Sequence, residues 1–172
     1  MRVIFLDIDG VLNNIKTKEN FRGYIGIDEK NLQALKSFID ESNKEDETKI
    51  VLSSSWRLGL DKNGDSIPFH YKYLIQRLAS VGLSIYDETP ETDKGTFYRG
   101  FEIKSWVATH KDLNITGILV LDDICFSDFK THGITKQFVQ TSDYKGGFTE
   151  KHFKNAFKTI RKPAKNNTLL FN

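Results

Sequence analysis

The chain has 172 residues, of which 38% are hydrophobic and 28% charged, with 13 Phe and 6 Tyr to give a core bulk. That suits one domain burying roughly 70% of its unfolded surface and excludes disorder over most of the chain. A net charge of +2 is too mild to make a nucleic-acid or membrane surface by itself, and the single Cys125 excludes a disulfide framework or Cys-rich zinc site.

The first element is the apolar run Val3-Ile4-Phe5-Leu6, continuous as expected of a strand buried on both faces. It is too short for a secretory leader, and no run nears the roughly 20 residues that span a bilayer, so a reduced, cytoplasmic location is expected. An irregular stretch follows. Asp28 then caps a helix whose Leu32, Leu35, Phe38 and Ile39 share a face. Residues 50–52 are a second strand. Tyr71, Leu74, Ile75 and Leu78 mark a second helix, which Gly82 ends.

Residues 83–86 are expected as a third strand. Ile103, Trp106 and Val107 form a helical stripe, and Ile118-Leu119-Val120-Leu121 is the strongest strand. Phe138-Val139 is a weaker fifth. A last helix starts near Thr149 and ends at Arg161-Lys162-Pro163. Alternation of this kind predicts an α/β fold: a Rossmann-like parallel sheet of about five strands with helices on both faces. Residues 1–164 are read as a single domain and 165–172 as a tail.

Ligands of such sheets bind beyond the C-terminal strand ends. There the sequence places Asp7-Ile8-Asp9-Gly10, Ser53-Ser54-Ser55 and Asp122-Asp123. Asp9-Gly10 is also a hairpin signal, but residues 3–6 lack the alternation of a half-exposed hairpin strand. A calcium loop of the EF-hand type is excluded, because either register puts Lys16 or Lys18 where the bidentate Glu belongs. Two carboxylates two residues apart beyond a buried strand suit phosphoryl transfer. Asp7 is then nucleophile and magnesium ligand, and Asp9 shuttles the leaving-group proton. Asp122 and Asp123 add oxygens for Mg2+, while a Ser hydroxyl and a cation hold the phosphate.

Phe5-Leu6-Asp7-Ile8-Asp9-Gly10-Val11-Leu12 resembles the first motif of the haloacid dehalogenase (HAD) superfamily of phosphatases. Residues 50–54 resemble its second motif and Leu121-Asp122-Asp123 its fourth; the third is a lone cation. More narrowly, Ser54-Ser55-Trp56-Arg57, the stretch from Arg99 to Trp106, Val139-Gln140-Thr141 and Gly147-Phe148-Thr149 are similar to HAD domains of Swiss Army Knife RNA-repair proteins.

The resemblance implies an Asp7 nucleophile and an Asp9 acid/base whose backbone carbonyl also meets the metal. Gly10 is read as a backbone necessity at a tight turn. For the second motif Ser54 is preferred, with Ser53 its competitor. Arg57 is read either as a substrate-phosphate contact or as a solvated arginine, and Trp56 as a packing residue at the pocket wall. Arg99 is the chosen third-motif cation, with Lys94 and Lys104 as alternatives. Asp123 is the preferred direct ligand, with Asp122 behind it and Asp128 orienting ligands or metal waters. His70, His110, His132 and His152 show no ligand spacing, and Cys125 reads as a small buried thiol.

Residues 11–27 are too short for a sizeable cap, so an open, cap-less site is expected, shaped by Tyr24, Trp56 and a loop at 59–66. An open rim suits a phosphate on a large molecule, such as a nucleotide or polynucleotide end. The competing readings are a catalytically idle HAD-like binding module and a receiver-like phospho-acceptor domain. Motif order disfavours the receiver, whose phospho-acceptor lies in mid-chain.

Overall fold

The computed structural model describes residues 1–58, 68–91 and 98–163. The expected loop at 59–66, the alternative cation Lys94 and the expected tail at 165–172 lie outside the described residues.

Strand β1 (Arg2–Leu6) is buried at every position and forms the centre of the sheet. A hairpin of two-residue strands, β2 (Asn20–Phe21) and β3 (Tyr24–Ile25), precedes helix α1 (Glu29–Asn43). Then come β4 (Thr48–Leu52), α2 (Phe69–Ser80), β5 (Ile85–Glu88) and α3 (Arg99–Thr109). The chain continues through β6 (Gly117–Asp122) and β7 (Phe138–Gln140) to α4 (Phe153–Ile160). The main sheet has the order β5-β4-β1-β6-β7, and every pairing in it is parallel.

Register sets the site. Leu6 pairs with Leu52 on one side and Leu121 on the other. The residues that follow, Asp7, Ser53 and Asp122, therefore arrive side by side on one rim.

The alternating faces of β1 build two cores. Ile4 and Leu6 pack with Leu32, Leu35 and Phe38 of α1, Leu74 and Leu78 of α2, and Ala156 and Ile160 of α4. Val3 and Phe5 point the other way, onto Ile103, Trp106 and Val107 of α3. Phe5 meets Trp106 edge to face at 5.4 Å. Each such fully buried side chain contributes about 2–3 kcal/mol by transfer from water. Asp28 caps α1 as expected, its Oδ1 accepting from the backbone N–H of Lys30 at 2.9 Å.

Three expectations shift. Residues 83–86 were expected as a strand, but β5 begins only at Ile85, because Leu83 N–H closes the end of α2 onto Leu78 O at 2.9 Å. The last helix opens with a 3-10 turn over Glu150–His152, which Thr149 caps, before α4 proper. Cys125 is exposed rather than buried, since the chain leaves the sheet at Asp122 and carries Ile124, 53% exposed, outward with it.

Residues 11–27, read from sequence as irregular, hold the β2–β3 hairpin. Phe21 of the hairpin stacks on Tyr73 of α2 at 4.4 Å. The hairpin is far smaller than a cap domain. Among the described residues no helix is long and apolar enough to cross a membrane.

Candidate active site

The three strand ends bring together the residues that the sequence singled out. One carboxylate oxygen each from Asp7, Asp122 and Asp123 lies within 4.8 Å of the others. Asp7 is held in line by its backbone N–H, which donates to Leu121 O at 2.9 Å. Asp122, 2% exposed, accepts at Oδ1 from Ile124 N–H at 2.9 Å. Burial pushes Asp7 up to about 6 and Asp122 up to about 8, with the nearby Asp7 charge adding to the rise of Asp122. Burial also raises Asp123.

Gly10 explains how Asp123 joins them. Its φ is +68°, and a Cβ there would lie 2.5 Å from Asp123 Cγ. The position therefore needs glycine both for its backbone and for room. Thr141 fixes this turn, its hydroxyl donating to Gly10 O at 2.7 Å.

Among the described residues, Arg99 is the cation facing the cluster. As first residue of α3, it reaches Asp7 Oδ1 from Nη2 at 3.7 Å and Asp122 Oδ2 from Nε at 4.0 Å. Its Nη1 donates to Ser53 Oγ at 3.2 Å. The guanidinium opposes the rise of both aspartates, but burial outweighs it. Lys104 lies farther along α3, away from the helix start.

The two serines divide the work that the sequence left between them. Ser53 bonds Arg99, while the Ser54 hydroxyl works against the rise of the Asp7 carboxyl. Both are buried. Ser54 also caps the 3-10 turn Ser55–Arg57, and that turn aims two further side chains. The indole Nε1 of Trp56 donates to Asp9 Oδ2 at 2.9 Å.

Arg57 points inward instead. It pairs through Nη2 with Glu102 at 2.9 Å, and Nε donates to Thr89 O at 3.0 Å. Its side chain is 4% exposed, so it is an internal strut between the Ser54 turn and α3. That corrects both the phosphate-contact and the solvated readings.

Asp128 also differs from expectation. Its two oxygens accept from Gly100 N–H at 3.1 Å and Phe101 N–H at 3.0 Å. It caps the helix that presents Arg99, rather than orienting ligands of the acidic cluster. A Cβ on Gly100 would lie 2.9 Å from Asp128 Cγ, which makes that close approach a glycine position.

Asp9 stands apart from the clustered oxygens and is exposed. Asn13 Nδ2 donates to its Oδ1 at 2.8 Å. Tyr24 is on the hairpin, 58% exposed and 5.5 Å from the Phe69 ring, while Trp56 is buried in the core and meets the site through its bond to Asp9. A cleft of about 480 Å³ opens beside Asp123. None of the four histidines joins the acidic cluster.

Glu102, Asn13 and Thr141 were not assigned site roles from sequence. Glu102 and Thr141 lie inside the quoted motif stretches, but a partner 131 residues away, as for Thr141 and Gly10, leaves no local signal.

A parallel sheet with Asp-x-Asp after its central strand, Ser after one neighbour and Asp-Asp after the other defines a domain of the HAD superfamily. A model of the family described as the HAD domain in Swiss Army Knife RNA repair proteins matches residues 3–153, and the chain belongs to that family. No curated protein and no solved structure matches it. Membership in a HAD family points to phosphatase-type hydrolysis.

The donor set fits a divalent cation. Asp7, Asp122, Asp123 and Glu102 bring four carboxylates against the two guanidiniums of Arg99 and Arg57. With all four ionised, the surplus of two negative charges is confined to the three clustered aspartates, whose hard oxygens suit a hard divalent cation.

Proposed function

We propose that the chain is a magnesium-dependent phosphatase that works through an aspartyl-phosphate on Asp7. The observation that carries this reading is the juxtaposition of the Asp7 carboxylate with Arg99 at 3.7 Å and with two further aspartates within 4.8 Å. Asp7, Asp122 and Asp123, with the backbone carbonyl of Asp9, would hold the magnesium. When bound, it supplies charge neutralisation between the attacking carboxylate and the phosphate.

A carboxylate oxygen of Asp7 attacks phosphorus, and the bond from phosphorus to the ester oxygen breaks. Asp9 gives its proton to the departing oxygen. A water then attacks the phosphoryl group while Asp9 takes back a proton, releasing phosphate and restoring Asp7. Arg99 and the Ser54 hydroxyl meet the phosphoryl oxygens as charge redistributes among them. Ser53 steadies Arg99.

The substrate we assign is a nucleotide or polynucleotide phosphate end. The family's occurrence in RNA repair proteins supports that class, and so does the lack, among the described residues, of any cap larger than a small hairpin. The test is phosphate release from an aryl phosphate and from a 3′-phosphorylated oligonucleotide. It is run with magnesium and with chelator, for wild type and Asp7→Asn, after both are shown to fold. Metal-dependent release that Asp7→Asn abolishes supports the mechanism, and a preference for the oligonucleotide supports the substrate class. A folded wild type that binds magnesium yet releases nothing favours an idle binding module.

A further inference from the structure

We propose that Trp56 and Asn13 are positioning residues that hold the Asp9 carboxylate for proton transfer to the leaving group. The inference rests on the acid/base reading of Asp9 above. Asp9 is exposed and lies outside the clustered oxygens of Asp7, Asp122 and Asp123. An exposed aspartate on a turn ordinarily rotates in solvent. Here each oxygen has its own donor: Oδ1 receives Asn13 Nδ2 at 2.8 Å, and Oδ2 receives Trp56 Nε1 at 2.9 Å.

Both donors are themselves fixed. Asn13 is 3% exposed, and its Oδ1 accepts from Gly10 N–H at 3.0 Å, which sets the direction of its amide. Trp56 is 8% exposed and starts from the turn that Ser54 caps. Its ring meets His70 at 6.1 Å and Tyr73 at 6.5 Å, and Tyr73 is in turn stacked on Phe21. The indole is thereby held between the Ser54 turn and α2, which the hairpin backs through Phe21 and Tyr73.

The chemistry of the donors matters as much as their placement. Both are neutral, so they orient the carboxylate without setting a competing cation beside the phosphate. One hydrogen bond on each oxygen still leaves a lone pair for the travelling proton. Orientation of this kind converts an available acid into an aligned one, and its worth grows with the leaving group's need for a proton.

The experiment has two arms. In the first, Trp56→Phe keeps a ring in the wall and removes the N–H. kcat is compared on 4-nitrophenyl phosphate, whose leaving group needs little protonation, and on an alkyl phosphate, whose leaving group needs much. General acid catalysis supplies on the order of 10²–10⁴ in rate, so losing one of two guides should lower kcat about tenfold on the alkyl ester. The aryl ester should change less than about twofold. Asn13→Ala should shift the ratio in the same direction, whereas His70→Ala, which alters the wall without touching Asp9, should keep the wild-type ratio.

The second arm does not depend on turnover. The chain has two tryptophans, and their indole N–H signals are followed by NMR. Asp9→Ala should move the Trp56 signal and leave that of Trp106, which donates to Asp87 at 2.6 Å, in place. An active wild type whose Trp56→Phe variant loses both substrates equally overturns the positioning role, as does a Trp56 signal indifferent to Asp9. A wild type inert on both esters overturns the phosphatase reading, and the proton-transfer role with it.

Discussion

Glu102 lies between two arginines, 2.9 Å from Arg57 Nη2 and 4.0 Å from Arg99 Nε, with its side chain 7% exposed. Burial raises the Glu102 carboxyl even so, against the pull of both guanidiniums. The trio is therefore held at a desolvation cost, and its worth lies in what it fixes: the Ser54 turn on one side and the Arg99 head on the other.

Breaking that trio leaves buried positive charge without its counterpart. Glu102→Gln keeps the shape and removes the anion, and should destabilise the fold by about 3 kcal/mol. Thermal and denaturant unfolding measure this. A change below about 0.5 kcal/mol would mean the arginines find other partners.

Metal binding should displace protons. With Asp7 raised to about 6 and Asp122 to about 8, the cluster holds protons in neutral solution that magnesium must expel. Affinity should therefore climb as pH rises from about 6 to about 8 and level off above. Calorimetry in buffers of different ionisation enthalpy would detect the released protons. Binding that is flat across this window speaks against a site built on those two groups. Saturating metal should also stabilise the fold, by about 2.7 kcal/mol at a hundredfold excess over Kd, and Asp123→Asn should diminish the gain.

Gly10 should tolerate no side chain. Gly10→Ala meets both a left-handed backbone, costing roughly 1–2 kcal/mol, and Asp123 Cγ at 2.5 Å. Lower stability and weaker magnesium binding are expected together, because the clash pushes a ligand out of place. A variant that loses stability but binds metal normally would show that Asp123 moves freely.

Away from the site, burial lowers His152, whose Nδ1 faces the Thr149 N–H at 3.1 Å. The unfolded chain therefore binds the proton more readily than the native state. This contribution to stability is full above the unfolded value of about 6.5 and is lost as pH falls from there toward the lower native pKa. His152→Gln should flatten stability just below about pH 6.5 relative to wild type, as followed by urea unfolding. An unchanged slope would place the sensitivity elsewhere.

Much of this was legible in the sequence, because the strands of a doubly covered sheet are continuous apolar runs. The polar residues just after those runs must then reach the rim. That is why Asp7, Ser53, Ser54 and Asp122 could be placed before any coordinates. Leu83 misled because an apolar residue after Gly82 looks like the start of a strand, whereas here it seals the end of α2. Arg57 misled for a different reason. A cation beside a catalytic motif looks the same in sequence whether it meets a phosphate or a buried Glu102 45 residues on. Asp128 was read toward the metal, yet its partners are backbone N–H groups of Gly100 and Phe101, which no side-chain pattern announces.

The central claim is that Asp7 becomes phosphorylated, and it can be read directly. Wild type and Asp9→Asn would be mixed with an aryl phosphate and magnesium, quenched in acid within the first turnovers and digested for mass spectrometry. One added phosphoryl group is expected on the peptide that carries Asp7, and none on that of Asp7→Asn treated alike. Phosphate release with no phosphoryl group on that peptide, or with the group on another residue, would contradict it.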